Sequence, residues 1–260
     1  MPVGHEALSQ NRSKWVPARK AVEFFESQWS SYRAVVEHDL MDHRAVASAT
    51  EAALRHWLAQ RPATAPPPAL LDLGCGDLAL LAPLLRDLPL GRYTGLDLTA
   101  VVLPLAERAL GPVPYATDWR VGDLLAWAQA PEGGDSALEQ PDILHSAFAI
   151  HHLSDAQKQA FLQGARRRIN ANGVFLWVDV FREPGETREA YIARYCQRIR
   201  SSWQPLSPGQ QEQVIDHLSQ WDIPADRAAI QASAEQAGWR WHWAWQGQYQ
   251  AEAMAVLTPH

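Results

Sequence analysis

A buried strand that runs directly into a glycine loop is the feature that most constrains this 260-residue chain. Residues 70–77 read LLDLGCGD, and the apolar stretch 78–85 predicts a helix immediately after the loop. Gly74 and Gly76 permit positive φ angles and let the backbone approach a ligand closely. Amide groups at the start of that helix favour a carboxylate or phosphate, whereas Asp72 suits a ligand with an amine or positive charge. The segment therefore predicts a ligand-binding strand–loop–helix unit.

Three further segments follow at the spacing of a repeated strand–helix unit. Residues 93–98 predict a second strand ending near Asp97, 25 residues after Asp72, which is close to the spacing expected for an acidic residue that binds ribose hydroxyls. A third strand ends in VGDL at 121–124, and a fourth strand with its loop covers 142–153. Alternating strands and helices predict a parallel sheet, with ligands beyond the carboxyl ends of its strands.

Together these segments resemble the motifs of class I S-adenosylmethionine (SAM)-dependent methyltransferases, and the HHL at 151–153 resembles small-molecule enzymes of the quinone-biosynthesis type. The resemblance implies SAM as the cofactor, S-adenosyl-L-homocysteine (SAH) as the product and methyl transfer (EC 2.1.1 type) as the reaction. It also implies cofactor contacts from Asp72, Gly74, Cys75, Gly76, Asp97, Leu98, Asp123, Leu124 and Ser146. One difference is Leu78, which stands where the family often has a third glycine. The pattern Gly74-x-Gly76-x-x-Ala79 also fits a dinucleotide fingerprint, so a nicotinamide-dependent oxidoreductase stays an alternative.

The chain divides into a helical N-terminal cap at 1–61, a proline-rich linker at 62–68 and a SAM-binding core at 69–260. Extra helices interrupt the core at about 182–222, where Ser207-Pro208 and Gln210 predict a capped helix start. We predict an α/β, Rossmann-like class I methyltransferase fold with a seven-stranded sheet that ends in an antiparallel hairpin. The two additional helical regions form a cap.

The C-terminal hairpin carries an unusual tryptophan repeat. Trp239, Trp241, Trp243 and Trp245 occupy every second position, which predicts a strand with four indoles on one sheet face. Residues 251–258 supply the partner strand. We predict a structural role for these indoles, which pack the sheet against helices.

Substrate choice is predicted to lie in the helical regions outside the core. We expect Tyr32, Arg44, Tyr191 and Tyr195 to line the acceptor pocket, and the alternative for each is packing or a solvated helix face.

Two histidines, His151 and His152, follow the fourth strand, where either could accept a proton from an acceptor hydroxyl. The alternative is that the imidazoles only pack against the loop. We predict no metal site, because His38 and His43 are five residues apart and do not share a helix face.

Composition restricts the partners. A net charge of −6 argues against a nucleic-acid surface, and no apolar run approaches the ~20 residues that span a bilayer. Two cysteines are too few for a disulfide framework, which favours the reducing cytoplasm. We therefore expect a cytoplasmic monomer or homodimer, without nucleic acid or membrane insertion, that methylates nitrogen or oxygen of a small metabolite. A protein or RNA methyltransferase is the alternative within this family.

Overall fold

The computed structural model describes residues 31–131 and 140–260, which are organised around one mixed sheet. Along the sheet the strand order is β3-β2-β1-β4-β5-β8-β7. The bounds are β1 Ala69–Leu73, β2 Arg92–Asp97, β3 Ala116–Val121, β4 Ile143–Ala147, β5 Val174–Arg182, β6 Ala225–Asp226, β7 Trp239–Gln246 and β8 Glu252–Pro259. Strands β1 to β5 are parallel, and β8 pairs antiparallel with β5 and β7. This arrangement confirms the predicted Rossmann-like α/β fold.

The predicted strand count is one too low. Strand β6 pairs in parallel with the end of β5, at Phe181 and Arg182, so the sheet in the described residues has eight strands. A strand of two residues is too short to show alternation, so no sequence pattern predicts it.

Helices pack on both faces of this sheet. Their bounds are α1 31–37 within the described residues, α2 His43–Ala59, α3 Ala82–Asp87, α4 Leu103–Leu110, α5 Leu124–Gln129, α6 Asp155–Arg168, α7 Arg188–Ser202, α8 Pro208–Trp221 and α9 Arg227–Gln236. Two short 3₁₀ turns cover Ala100–Val102 and Ile150–His152. None of the helices in the described part of the chain has the length and apolarity of a membrane span.

The helix after the glycine loop begins later than predicted. Leu78, the predicted first helical residue, has φ +56°, and α3 starts only at Ala82. A left-handed residue cannot belong to a right-handed helix, so residues 78–81 extend the loop instead. The Leu78 side chain is buried, which offsets the cost of a conformation that glycine adopts more easily.

The capped start of α8 is confirmed. Ser207 accepts a hydrogen bond from the Gln210 amide, and the Gln210 side chain accepts one from the Ser207 amide. The predicted division into cap, linker and core stays a prediction, and residues 1–30 of the cap lie outside the described residues.

The prediction of four indoles on one sheet face is wrong at Trp245. Trp239, Trp241 and Trp243 pack into the main core, the apolar cluster around Phe161, Phe175 and Trp177. Trp245 instead packs beside Val46 and Met254 on the opposite face. A β-bulge between Trp243 and Trp245 causes the change, because one additional residue shifts every later side chain to the other face.

Candidate active site

The glycine loop is held against the end of β2 by its own backbone. The amides of Gly74 and Cys75 both donate to the Leu96 carbonyl, at 2.8 and 3.1 Å. Gly74 has φ +78° and Gly76 has φ +55°, and a Cβ on Gly74 would lie 2.5 Å from that of Ala149. The loop thus requires glycine at these positions, and its first amides bind β2 rather than remaining available to an anion.

Asp97 closes the same loop from the second strand. Its carboxylate accepts hydrogen bonds from the amides of Gly76, at 2.9 Å, and Thr99, at 2.8 Å. Burial raises the pKa of this carboxyl, while the two amides favour its charged form. A carboxylate has about four acceptor positions, so these two amides leave acceptor capacity for a ligand.

A cavity opens beside the loop, and we call it the glycine-loop cavity. Its walls include Asp72, Gly74, Cys75, Gly76, His145 and Phe148, and α1 and α2 cover it with Tyr32 and His43. A Cβ on Gly76 would point toward the Tyr32 hydroxyl, 3.9 Å away, so glycine keeps the space between loop and helix open. Burial, with the nearby carboxylates of Asp77 and Asp97, raises the pKa of Tyr32.

Asp72 lies in this cavity as part of a buried pair. Its carboxylate accepts from the Tyr93 hydroxyl at 3.0 Å and faces His145 Nδ1 at 2.7 Å. The two contacts fix the orientation of the carboxylate beside the loop. Burial raises the pKa of the neighbouring Cys75 thiol, which therefore stays protonated.

The other predicted cofactor residues, including Asp97 at the end of β2, lie outside the walls of this cavity. Ser146 is fully buried and donates to the Leu73 carbonyl at 2.8 Å, which is a strand-to-strand contact. Asp123 caps α5 by accepting from the Ala126 amide, and Leu124 packs against the main core. Leu98, one residue past β2, is half-buried. Their predicted contacts with a cofactor stay predictions.

A second cavity, of ≈ 130 Å³, lies between α1, α7 and α8, and we call it the histidine-lined cavity. Most of its wall is apolar and comes from Val35, Met41, Phe148, Val180, Trp203 and Leu218. Its polar wall consists chiefly of His151, His152, His217 and Asp222. Tyr32 and Phe148 line both cavities, so the two spaces meet at these rings. Phe148 holds a left-handed backbone, φ +54°, at the end of β4.

Three of the four predicted acceptor-pocket residues line the histidine-lined cavity. They are Tyr32, Tyr191 and Tyr195. The Tyr195 hydroxyl donates to Glu252 at 2.6 Å, whereas the buried Tyr191 hydroxyl has no hydrogen-bond partner among the described residues. Arg44 is placed differently: it is exposed on α2 and lines neither cavity. The predicted contact between Arg44 and a ligand carboxylate therefore has no support in this structure.

His151 is held rigidly by Asp179. Its Nδ1 lies 2.5 Å from Asp179 Oδ1, and its amide donates to Asp179 Oδ2 at 3.0 Å. Its other ring nitrogen, Nε2, lies 3.5 Å from Asp222 Oδ1. Burial opposes a charged imidazole, but Asp179 and Asp222 outweigh it and raise the pKa of His151 to about 10. At neutral pH both ring nitrogens of His151 are therefore protonated, and the ring does not accept a further proton.

The remaining polar groups surround Asp222. Its Oδ1 lies 3.7 Å from His152 Nδ1 and 3.5 Å from His217 Nε2. Burial lowers the pKa of both histidines, and His151 adds to the effect. Lys158 fixes the two segments that carry this group, because its ammonium donates to the carbonyls of Leu153 and Ile223.

Sequence reasoning did not identify His145, Asp179, His217 or Asp222. His145 and Asp179 sit inside apolar strands, where a charged side chain is unusual, and that is the one signal the sequence contained. His217 and Asp222 lie in and just after α8, about 70 residues from His151, and only the fold brings them together.

Comparisons with known proteins relate this fold to methyltransferases. Residues 71–175 match a family described as a methyltransferase domain. The magnesium protoporphyrin IX methyltransferase (ChlM) from Synechocystis PCC 6803, solved with SAH, is 14% identical with a TM-score of 0.62, over 94% of this chain and 99% of that chain. The plantazolicin methyltransferase BamL, solved with SAH and a triazolic desmethylPZN analog, is 14% identical with a TM-score of 0.61, over 95% and 97%.

A third similar structure is a chain from the complex between the Haloferax volcanii Trm112 methyltransferase activator and a putative methyltransferase. It is 17% identical with a TM-score of 0.56, over 92% of this chain and 97% of that chain. At these identities the likeness concerns the fold. No curated protein sequence matches the chain. The domain match covers the glycine loop and the strands around it, so residues 71–175 of this chain carry a methyltransferase domain within the sheet described above.

Proposed function

We propose that the glycine-loop cavity binds SAM and that the histidine-lined cavity holds a small, largely apolar acceptor. The observation that carries this proposal is the junction of the two cavities at Tyr32 and Phe148. A methyl donor and a nucleophile must meet in line, so their two sites have to adjoin. An acceptor between α1, α7 and α8 would lie against a mostly apolar wall.

The residues that line the glycine-loop cavity, together with Asp97 beside it, fit SAM. Gly76 leaves an open space below Tyr32, and Asp97 keeps acceptor positions for the ribose hydroxyls at the end of β2. Asp72 places a carboxylate in the cavity, where it favours a cationic ligand. Several similar structures were solved with SAM or SAH. When bound, SAM supplies an activated methyl group on a sulfonium.

The histidine-lined cavity supports an acceptor with one polar end. Its apolar wall suits a ring or a hydrocarbon part. The Tyr191 hydroxyl, which has no hydrogen-bond partner in the described ranges, can bind a polar substituent. Its polar wall, at His151 and His152, is where a nucleophilic oxygen or nitrogen would lie. These histidines are our proposed catalytic residues. His151 holds the nucleophile, and His152, whose pKa burial lowers, assists the loss of its proton.

Measuring SAH formation with different acceptors tests this proposal. We expect activity with small hydroxyl- or amine-bearing aromatic or aliphatic compounds, and none with unfolded protein substrates or total RNA. Turnover only with protein or RNA would contradict the assignment of the acceptor. Binding of NAD or NADP with no binding of SAM would contradict the assignment of the cofactor.

A single hydroxyl group provides a sharper test of the acceptor cavity. Tyr191→Phe removes the unpaired hydroxyl and keeps the ring, so we expect a higher KM for the acceptor and an unchanged Kd for SAM. Tyr115→Phe is the matched control, because the Tyr115 hydroxyl donates to the Leu85 carbonyl away from both cavities. Equal effects of the two variants on the acceptor KM would argue against an acceptor in this cavity.

A further inference from the structure

His151, His152 and Asp222 form a compact group of metal-ligand atoms at the polar wall of the histidine-lined cavity. One ligand atom from each lies within 4.8 Å of the others. Asp222 Oδ1 is 3.5 Å from His151 Nε2 and 3.7 Å from His152 Nδ1. His217 Nε2 is 3.5 Å from the same oxygen.

These separations suit metal ligands better than hydrogen bonds. Protein N–H···O bonds have lengths of about 2.7–3.2 Å, and buried Asp222 Oδ1 has no hydrogen-bond partner in the described ranges 31–131 and 140–260. Tetrahedral bonds of about 2.0–2.2 Å to one metal ion keep neighbouring ligand atoms about 3.3 Å apart. An ion between these atoms would therefore need only small side-chain shifts, and it would satisfy the unpaired oxygen.

The surroundings of His151 also match a metal ligand. A metal-binding histidine usually gives its second ring N–H to a carboxylate, which fixes the tautomer and the ring orientation. His151 Nδ1 lies 2.5 Å from Asp179 Oδ1 and therefore leaves Nε2 to face Asp222, where a bound metal ion would replace the Nε2 proton and release it to water. Asp179 itself accepts from Trp177 Nε1 at 3.0 Å and from the Val180 amide at 2.9 Å. Asp179, which orients His151, is thus itself held in place on β5.

We propose that His151 Nε2, His152 Nδ1 and Asp222 Oδ1 bind one divalent transition-metal ion, of which Zn²⁺ is the representative. Two imidazoles and one carboxylate form a donor set that suits this class of ion, and three protein ligands leave a coordination position open. All three residues line the histidine-lined cavity, so the open position faces the acceptor space. His217 Nε2 lies 3.5 Å from the same Asp222 oxygen and would help to orient it.

The proposed function gives this site a chemical consequence, and only this part of the inference rests on it. A divalent cation stabilises an oxyanion, so an acceptor hydroxyl at the open position would lose its proton to water near neutral pH. Its oxygen would then form the new bond to the methyl carbon, while the electron pair of the broken methyl–sulfur bond stays on sulfur. The acceptor class is therefore an alcohol, enol or phenol.

Zinc titration of the untagged full chain, freed of metal with a chelator and measured without SAM or acceptor, tests the site. We expect one Zn²⁺ per chain and at least ~100-fold weaker binding in His152→Ala. The His152 side chain is partly exposed, so this variant should fold. His242→Ala is the matched control, because His242 is exposed on β7 away from both cavities, and it should bind zinc like the parent.

Two further measurements keep the outcomes distinct. Asp222→Asn should also lose zinc affinity, and Co²⁺ bound to the parent should show visible absorption that His152→Ala lacks. Absence of saturable zinc binding, or equal affinity in His152→Ala and His242→Ala, would overturn the metal site. Zinc binding without any methyl transfer to hydroxyl compounds would retain the site and contradict the proposed acceptor chemistry instead.

Discussion

The glycine-loop cavity and the histidine-lined cavity meet at Tyr32 and Phe148, but different parts of the chain build them. The first has a floor made of backbone, where the Gly74 and Cys75 amides bind one carbonyl of β2. The second is formed by side chains from α1, α7, α8 and the loop after β4. The difference teaches that a backbone-built site is encoded in one short segment, whereas a side-chain-built site requires the whole fold.

The two cavities should therefore respond to different substitutions, and the largest expected effect is at Asp222. Asp222→Asn keeps the shape but removes the charge next to three histidines, so we expect turnover to fall by ~10²–10⁴-fold. The Kd for SAM should change less than about twofold, because Asp222 does not line the glycine-loop cavity. Single-turnover kinetics and calorimetry measure the two quantities. Asp216→Asn, exposed on the preceding helix α8, is the control. A parallel loss of SAM affinity in Asp222→Asn would contradict the separation of the two sites.

Substitutions in the sheet that supports both cavities should change stability rather than ligand binding or turnover. Trp239 is fully buried, and its Nε1 donates to the Leu162 carbonyl at 3.0 Å. Trp239→Ala should lower the free energy of unfolding by ~3–5 kcal/mol. Trp245 is half-buried on the opposite face, so Trp245→Ala should lower the free energy of unfolding by less. Chemical denaturation measures both, and an unchanged stability of Trp239→Ala would refute its structural role.

Asp97 tests the cofactor side alone. Asp97→Ala removes the carboxylate that binds the Gly76 and Thr99 amides and, in our proposal, the ribose. Hydrogen bonds to a charged group contribute ~1.5–3 kcal/mol, so SAM affinity should fall at least ~10-fold. Calorimetry measures the change, with Asp118→Ala on β3 as a control that pairs only with Arg120 in the contacts described. Equal SAM affinity in Asp97→Ala and the parent would remove Asp97 from the site.

The smallest expected effect concerns Arg44, which the sequence predicted in the acceptor pocket. Because Arg44 is exposed and lines neither cavity, Arg44→Ala should change the acceptor KM, the Kd for SAM and the stability within ~0.5 kcal/mol each. A tenfold rise in the acceptor KM would show that α2 takes part in acceptor binding after all.

The glycine-loop cavity could be predicted from the sequence to a larger extent than the histidine-lined cavity. The strand–loop–strand segments around Gly74 and Asp97 could be predicted because their residues are consecutive in the sequence. Glycine also indicates a loop there, because it adopts positive φ angles easily. The start of α3 could not be predicted, since the left-handed backbone of Leu78 depends on its burial in the fold.

Longer-range contacts explain the remaining differences. The bulge before Trp245 depends on pairing with β8, which no local pattern records. Asp222 becomes a candidate site residue only in the folded chain, where α8 brings it next to His151 and His152. The positions of the two histidines after β4 were predicted. Sequence periodicity therefore located the cofactor loop, and tertiary structure was needed for the acceptor side.

The junction of the two cavities is the central claim, and a crystal structure with bound SAH tests it most directly. We expect SAH in the glycine-loop cavity, with its ribose at Asp97 and its sulfur directed toward Tyr32 and Phe148, and the histidine-lined cavity free for an acceptor. SAH with its sulfur directed away from Phe148, or SAH lodged among His151, His152 and Asp222, would contradict the account.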